Sequence, residues 1–260
     1  MWLIPGAIAV PDLPLAPDFA TWLTQTRQLR FRATLGYPSN FWETVLLALR
    51  NMPHLQKAVF EVRLHMALPL AVAPIGNELS ALANLREVHF YGAMPVPTDI
   101  SKWEQSQSVV SISVRGFDRK PADLQSLVAW PARLRHFTFE QPHYNHHRTL
   151  TTPAGSQWQW ALSDLLPLLS CQSASLETLQ VGKLPKPGLE GVDLSGLPHL
   201  KTLRVAHGTT EARPGAIALM APYIREFSWL FKENGQHWGT PYMNHHGHVA
   251  LGRRGRAVLA

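Results

Sequence analysis

The residues best suited to chemistry in this chain are two histidine clusters, one cysteine and a scattered set of polar side chains. His143, His146 and His147 fall within HYNHH, and His245, His246 and His248 within HHGH. Three imidazoles can hold zinc and leave a fourth position open, as catalytic zinc sites do. The first cluster, however, sits in a polar stretch beside Pro142 and the second in a tail without pattern, so both read as solvated loops. Cys171 would be a nucleophile only if a histidine and a third group converged on it, and its setting, LLSCQSAS, reads as the turn between a helix and a strand. The GxSxG elbow, the P-loop, HExxH and GxGxxG are all absent. No catalysis, cofactor or metal is therefore expected. The remaining polar set comprises Lys57, Glu87, His89, Tyr91, Arg115, His136, Glu140 and Arg204. These lie far apart along the chain and become neighbours only if the chain repeats.

It does repeat. A phrase of apolar, two variable, apolar, variable, apolar recurs as LQKAVF from Leu55, LREVHF from Leu85, VVSISV from Val109 and LRHFTF from Leu134. It returns as LETLQV from Leu176, LKTLRV from Leu200 and IREFSW from Ile224, with a weaker first copy, TRQLRF, from Thr26. The starts are separated by 29, 30, 24, 25, 42, 24 and 24 residues. Leucine-rich repeats have periods of about 20–29 residues, so one insertion is implied. Positions one, four and six are apolar in 23 of 24 cases, Thr26 being the exception, whereas among positions three and five only Val59 is apolar. Alternation of this kind predicts a strand with one face in a core and one in water. Between the phrases, helical spacing is expected over Phe41–Leu49, Asn77–Ala83 and Pro121–Ala129. Strand followed by return segment, repeated, predicts a parallel sheet, because parallel neighbours need crossovers.

Composition sets the outer limits. The chain has 260 residues, 45% of them hydrophobic, which excludes wholesale disorder. The net charge is +6, yet residues 236–260 carry half of it through Arg253, Arg254 and Arg256. The repeat region is thus nearly balanced, and its charge gives no reason to expect nucleic acid as a partner. One cysteine and the lack of an Asn-x-Ser/Thr site suit a reducing compartment, cytoplasmic or nuclear, and the apolar start is broken by Pro5, which argues against a membrane span. Of the tryptophans, Trp103, Trp158, Trp160 and Trp238 fall outside the inward columns and are expected to be freer.

The stretch from Ser108 to Glu140, with SASLETLQVGKL, GLPHLKTLRV and APYIREFSWLFKENGQHW, resembles the irregular leucine-rich repeats of fungal F-box and F-box-like proteins. The resemblance covers roughly residues 26–238. It implies an α/β leucine-rich-repeat solenoid, an irregular horseshoe with a parallel strand ladder and a helical or irregular outer layer. It also implies substrate recognition in a ubiquitin-ligase receptor. Leu13 and Pro14 imitate the opening of an F-box, but the first strand follows about a dozen residues later. Partnership with the Skp1 adaptor and cullin is accordingly expected only if the full gene product carries an F-box. The expected organisation is an extension over residues 1–22, a solenoid over 23–235 with an insertion near 141–160, and an irregular basic tail over 236–260. The polar set named above is expected to bind a protein from the outward face of the ladder, with Tyr91 and Arg115 as anchors; the alternative is a repeat protein that binds nucleic acid or another anion.

Overall fold

A computed structural model of the chain describes residues 21, 23–33, 41–62, 75–92, 100–116, 121–140, 160–184, 192–207, 219–220, 222–230, 247–249 and 256–257. Every phrase found in the sequence forms a strand, and each strand begins at position three of its phrase. These strands are β1 (Gln28–Ala33), β2 (Lys57–Val62), β3 (Glu87–Gly92), β4 (Ser111–Arg115), β5 (His136–Glu140), β6 (Thr178–Leu184), β8 (Thr202–His207) and β10 (Glu226–Leu230). Four short strands complete the set: β7 (Val192–Asp193), β9 (Leu219–Met220), β11 (Gly247–Val249) and β12 (Arg256–Ala257).

One nine-stranded sheet runs β1-β2-β3-β4-β5-β6-β8-β10-β11. Its neighbours are parallel from β1 to β10, and only β11 is antiparallel. The register carries the sequence columns intact, since Gln28 pairs with Lys57, Lys57 with Glu87, Glu87 with Ser111 and Ser111 with His136. The chain is therefore an α/β protein built on a parallel sheet whose spatial order follows its sequence order.

Each crossover takes a form set by the residues available. The units of 29, 30, 25 and 42 residues return through the helices Phe41–Arg50, Ile75–Ala81, Pro121–Ala129 and Leu162–Leu169. The three 24-residue units return through a 3-10 turn at Ile100–Lys102 or through the two-residue strands β7 and β9. An α-helix advances about 1.5 Å per residue, a 3-10 helix about 2.0 Å and a strand about 3.3 Å, so fewer residues close the same span in the tighter or extended forms. The last returns were expected to be helical or irregular; instead β7 and β9 pair in parallel, and β12 joins β9 in a second, three-stranded sheet. With β11, this also places two strands inside the tail expected to be irregular.

The core lies between the sheet and its crossovers. Position one closes each turn, with Leu55, Leu85, Leu134 and Leu176 fully buried, and positions four and six fill the layer above. At position six the rings of Phe31, Phe60 and Phe90 stack at 5.4 and 5.5 Å, with interplanar angles of 10° and 17°. The expectation of freer tryptophans is corrected for two of the four. Trp103 and Trp160 are buried, because the crossovers bury a face of their own that a count of strand columns ignores. Trp160 meets Phe139 at 5.4 Å, and Trp103 meets Trp130 edge to face at 5.3 Å. Gly76 must be glycine for this, since a Cβ there would overlap the Trp103 indole. Trp158 and Trp238 lie outside the described residues.

Polar groups tie the turns together. Gln172, buried at the end of a 3-10 turn, accepts from Leu134 N–H and Ser175 Oγ and donates to the carbonyls of Val128 and Pro131. Ser108 donates to the Leu82 carbonyl at 2.9 Å, and Ser106 accepts from Val109 N–H. Trp130 Nε1 donates to Ser80 Oγ and the Glu104 carbonyl. No helix among the described residues is long and apolar enough to cross a membrane.

Candidate functional site

The outward face of the sheet brings six of the eight predicted residues into one connected chain. Lys57 Nζ donates to Glu87 Oε2 at 2.8 Å across the β2/β3 boundary. The same carboxylate lies 3.3 Å from His89 Nε2, while His89 Nδ1 lies 2.9 Å from the Tyr91 hydroxyl. A neutral imidazole with its proton on Nε2 satisfies both contacts, donating to Glu87 and accepting from Tyr91. The Arg115 guanidinium stands 4.8 Å from the Tyr91 ring centroid, a cation over an aromatic face, and its Nε reaches Glu140 Oε1 at 3.4 Å. Beside Glu140 in register is Gly182, where a Cβ would press on the Glu140 side chain. The sheet thus leaves room for that carboxylate to fold over β6.

Tyr91 and Arg115, expected as separate anchors, hold each other. Two residues of the predicted set stand apart. His136 is exposed, and Arg204 pairs instead with Glu226 at 3.2 Å on the same face, toward the other end of the sheet at β8 and β10. Glu226 and Arg30 occupy outward positions of the repeat but were not among the eight predicted binding residues; Arg30 is bonded to Glu61 at 2.7 Å. Both carried a legible signal, since opposite charges occupy the outward positions of adjoining copies. Ser113 is the exception to outward exposure, being only 5% exposed between His89 and Thr138 in register.

Electrostatics orders the face. The Lys57 hydrogen bond holds the Glu87 carboxyl below its ordinary range, against a smaller opposing effect of burial. Burial is the largest cause lowering the proton affinity of His89; the Lys57 and Arg115 cations add to it, and Glu87 opposes it. The unfolded chain therefore binds the imidazole proton more tightly than the folded one. His89 contributes stability that is present above its unfolded value of about 6.5 and lost as pH falls through its lower folded value. The melting temperature should hold level from pH 8 to 7 and decline on acidification below about 6.5. The His89→Gln variant should show a shallower decline in that window, read by thermal melts; equal slopes would place the pH sensitivity elsewhere. Glu87 acts in the same direction at lower pH.

The remaining chemical candidates do not assemble. Among the described residues no three His, Cys, Asp or Glu side chains converge to hold a metal ion. His143, His146, His147, His245 and His246 lie outside the described residues, and His248 falls on β11. Cys171 is exposed as a residue, but its sulfur donates weakly to the Leu168 carbonyl and is partly desolvated by its surroundings, which raises its pKa, the reverse of an activated thiolate.

Fold and face together define an α/β protein with a parallel sheet, one side buried and the other polar and internally ion-paired. Comparison with protein-family models, with curated proteins and with solved structures returned no match.

Proposed function

We propose that the chain is a protein-interaction module of leucine-rich-repeat solenoid type, which grips its partner on the outward face of the strand ladder. The observation that carries this reading is the continuous chain from Lys57 to Glu140, held in one geometry across β2 to β5. A surface whose long side chains are already fixed loses less rotamer entropy when a partner arrives, so more of the contact energy appears as affinity. An aromatic and an arginine at its centre are the residue types that most often anchor protein interfaces. Among the described residues no three potential metal ligands converge here, and the one imidazole of the face, His89, is engaged by Glu87 and Tyr91, so the reading is one of binding.

The resemblance to F-box-like repeats supplies the narrower version, substrate recognition in a ubiquitin-ligase receptor that works through Skp1 and cullin. Both versions are tested by using the full chain as bait in extract of its native cell, beside a Tyr91→Ala/Arg115→Ala variant. The double variant should retain at least fivefold less of the partner, about 1 kcal/mol of lost contact. Equal capture would remove the face as the site. Recovery of Skp1 and cullin would support the ligase reading; their absence alongside a captured partner would leave the interaction module and remove the ligase.

A further inference from the structure

A second surface runs along the edge where the strands begin. The residue at position two of each phrase precedes its strand, and these residues form a hydrogen-bonded row of their own. Gln56 N–H donates to the Arg27 carbonyl at 2.7 Å, Arg86 to Gln56 at 2.8 Å, Val110 to Arg86 at 3.0 Å and Arg135 to Val110 at 2.8 Å. Glu177, Lys201 and Arg225 continue the row in the same way. Such bonding fixes neighbours at the spacing of a β-ladder, about 4.8 Å.

Along this row, Arg27, Arg86, Arg135 and Lys201 occupy every second place and Arg225 ends it, all five exposed. On the outward face the charges are paired; here they are mostly not. Arg27 and Arg225 have no carboxylate partner among the described residues, and Arg86 bonds only to the Ser108 carbonyl at 3.0 Å. The one acid in the row, Glu177, lies 3.7 Å from Arg135 and 3.2 Å from Lys201.

We infer that this edge binds an acidic polypeptide segment in polyproline II conformation, with a carboxylate at every third residue. The spacing selects that conformation. Cations two ladder steps apart recur about every 9.6 Å. A polyproline II segment has three residues per turn and rises about 3.1 Å per residue, so one face recurs every 9.3 Å or so. A β-strand repeats a face at about 6.7 Å and an α-helix turns every 5.4 Å or so, neither of which keeps step with the row. Over three intervals the polyproline II mismatch is about 1 Å, within the reach of arginine and lysine side chains. Glu177 then occupies the place of one ligand carboxylate, bridging Arg135 and Lys201 until an incoming acid displaces it. The row is distinct from the Tyr91/Arg115 face, so this inference and the proposed function can fail separately.

The test is fluorescence anisotropy on the full chain at low ionic strength, where surface charge pairing is least screened. The probes are a labelled peptide of four Glu-Pro-Pro triplets, its isomer with the glutamates in one block, and an oligothymidylate of the same length. The triplet peptide should bind tightest. Arg27→Gln/Arg225→Gln, which breaks no side-chain bond among the described residues, should weaken it about fivefold, and Glu177→Gln should tighten it about threefold. Tyr91→Ala/Arg115→Ala should leave it unchanged. Equal or tighter binding of the block isomer or the oligonucleotide would overturn the inference, as would indifference to Arg27→Gln/Arg225→Gln or loss of binding in the Tyr91/Arg115 variant.

Discussion

Replacing Gln172 by alanine is expected to lower the free energy of unfolding by about 3–5 kcal/mol, read from urea or thermal denaturation. Its side-chain amide uses its full capacity, two donors and two acceptor sites, on four partners from 2.8 to 3.0 Å away. Three of those partners are backbone groups, Val128 in the last turn of the Pro121–Ala129 helix and Pro131 and Leu134 in the segment that leads from it to β5. Each buried backbone group left without a partner costs about 1–3 kcal/mol, and the vacated space does not supply replacements for all three. Gln172→Glu should be no milder, since it retains the acceptors but directs negative charge at the carbonyls of Val128 and Pro131. Ser175→Ala is the contrast. Its hydroxyl gives up contacts with Gln172 and the Leu134 carbonyl but leaves the other three amide bonds intact, so about 1 kcal/mol is expected. A loss below about 1 kcal/mol for Gln172→Ala would show that the turn holds without it.

The second large effect is expected at Phe60. This ring is 1% exposed and is the middle member of the Phe31–Phe60–Phe90 stack, so among the described residues it alone of the three has an aromatic neighbour on both sides. Phe60→Ala removes the transfer energy of a buried ring and leaves a cavity, a loss of about 3–5 kcal/mol, to which the two ring pairs contribute about 0.5–1.5 kcal/mol each. Phe31→Ala should cost less, because Phe31 is only partly buried and belongs to one pair. Phe60→Leu, which conserves most of the volume, should fall below about half the alanine effect. Equal losses for Phe31→Ala and Phe60→Ala would mean that burial at position six does not follow the ladder.

Several features of the fold were legible because they depend on local alternation. A strand in a half-buried sheet must place its apolar side chains at every second residue, whatever its neighbours. That requirement put Leu29, Ala58, Val88, Ile112 and Phe137 in one column and the candidate polar residues in another, and all five of the former are buried. The helix over Pro121–Ala129 was equally plain, with Leu124, Leu127 and Val128 at helical spacing and buried. The crossovers were less legible. Trp103 and Trp160 belong to no strand column, so their burial depended on packing from other units. The short β7 and β9 returns depended on a span to be closed, which composition does not state.

The site divides in the same way. The sequence by itself determined which side chains would face outward, because that follows from a period of two within a few consecutive residues. Only the tertiary structure decided what they do to one another. Tyr91 and Arg115 meet because β3 and β4 are neighbours with Tyr91 opposite Arg115 in register, whereas His136 and Arg204, equally outward, meet different surroundings. Gln172 finds partners 38 to 44 residues earlier in the chain, and nothing in LLSCQSAS announces them. The row of cations at the strand edge emerges only when copies of unequal length are brought to one ladder spacing. Facing is a property of each strand alone, but pairing depends on the distance between units, and only packing sets that distance.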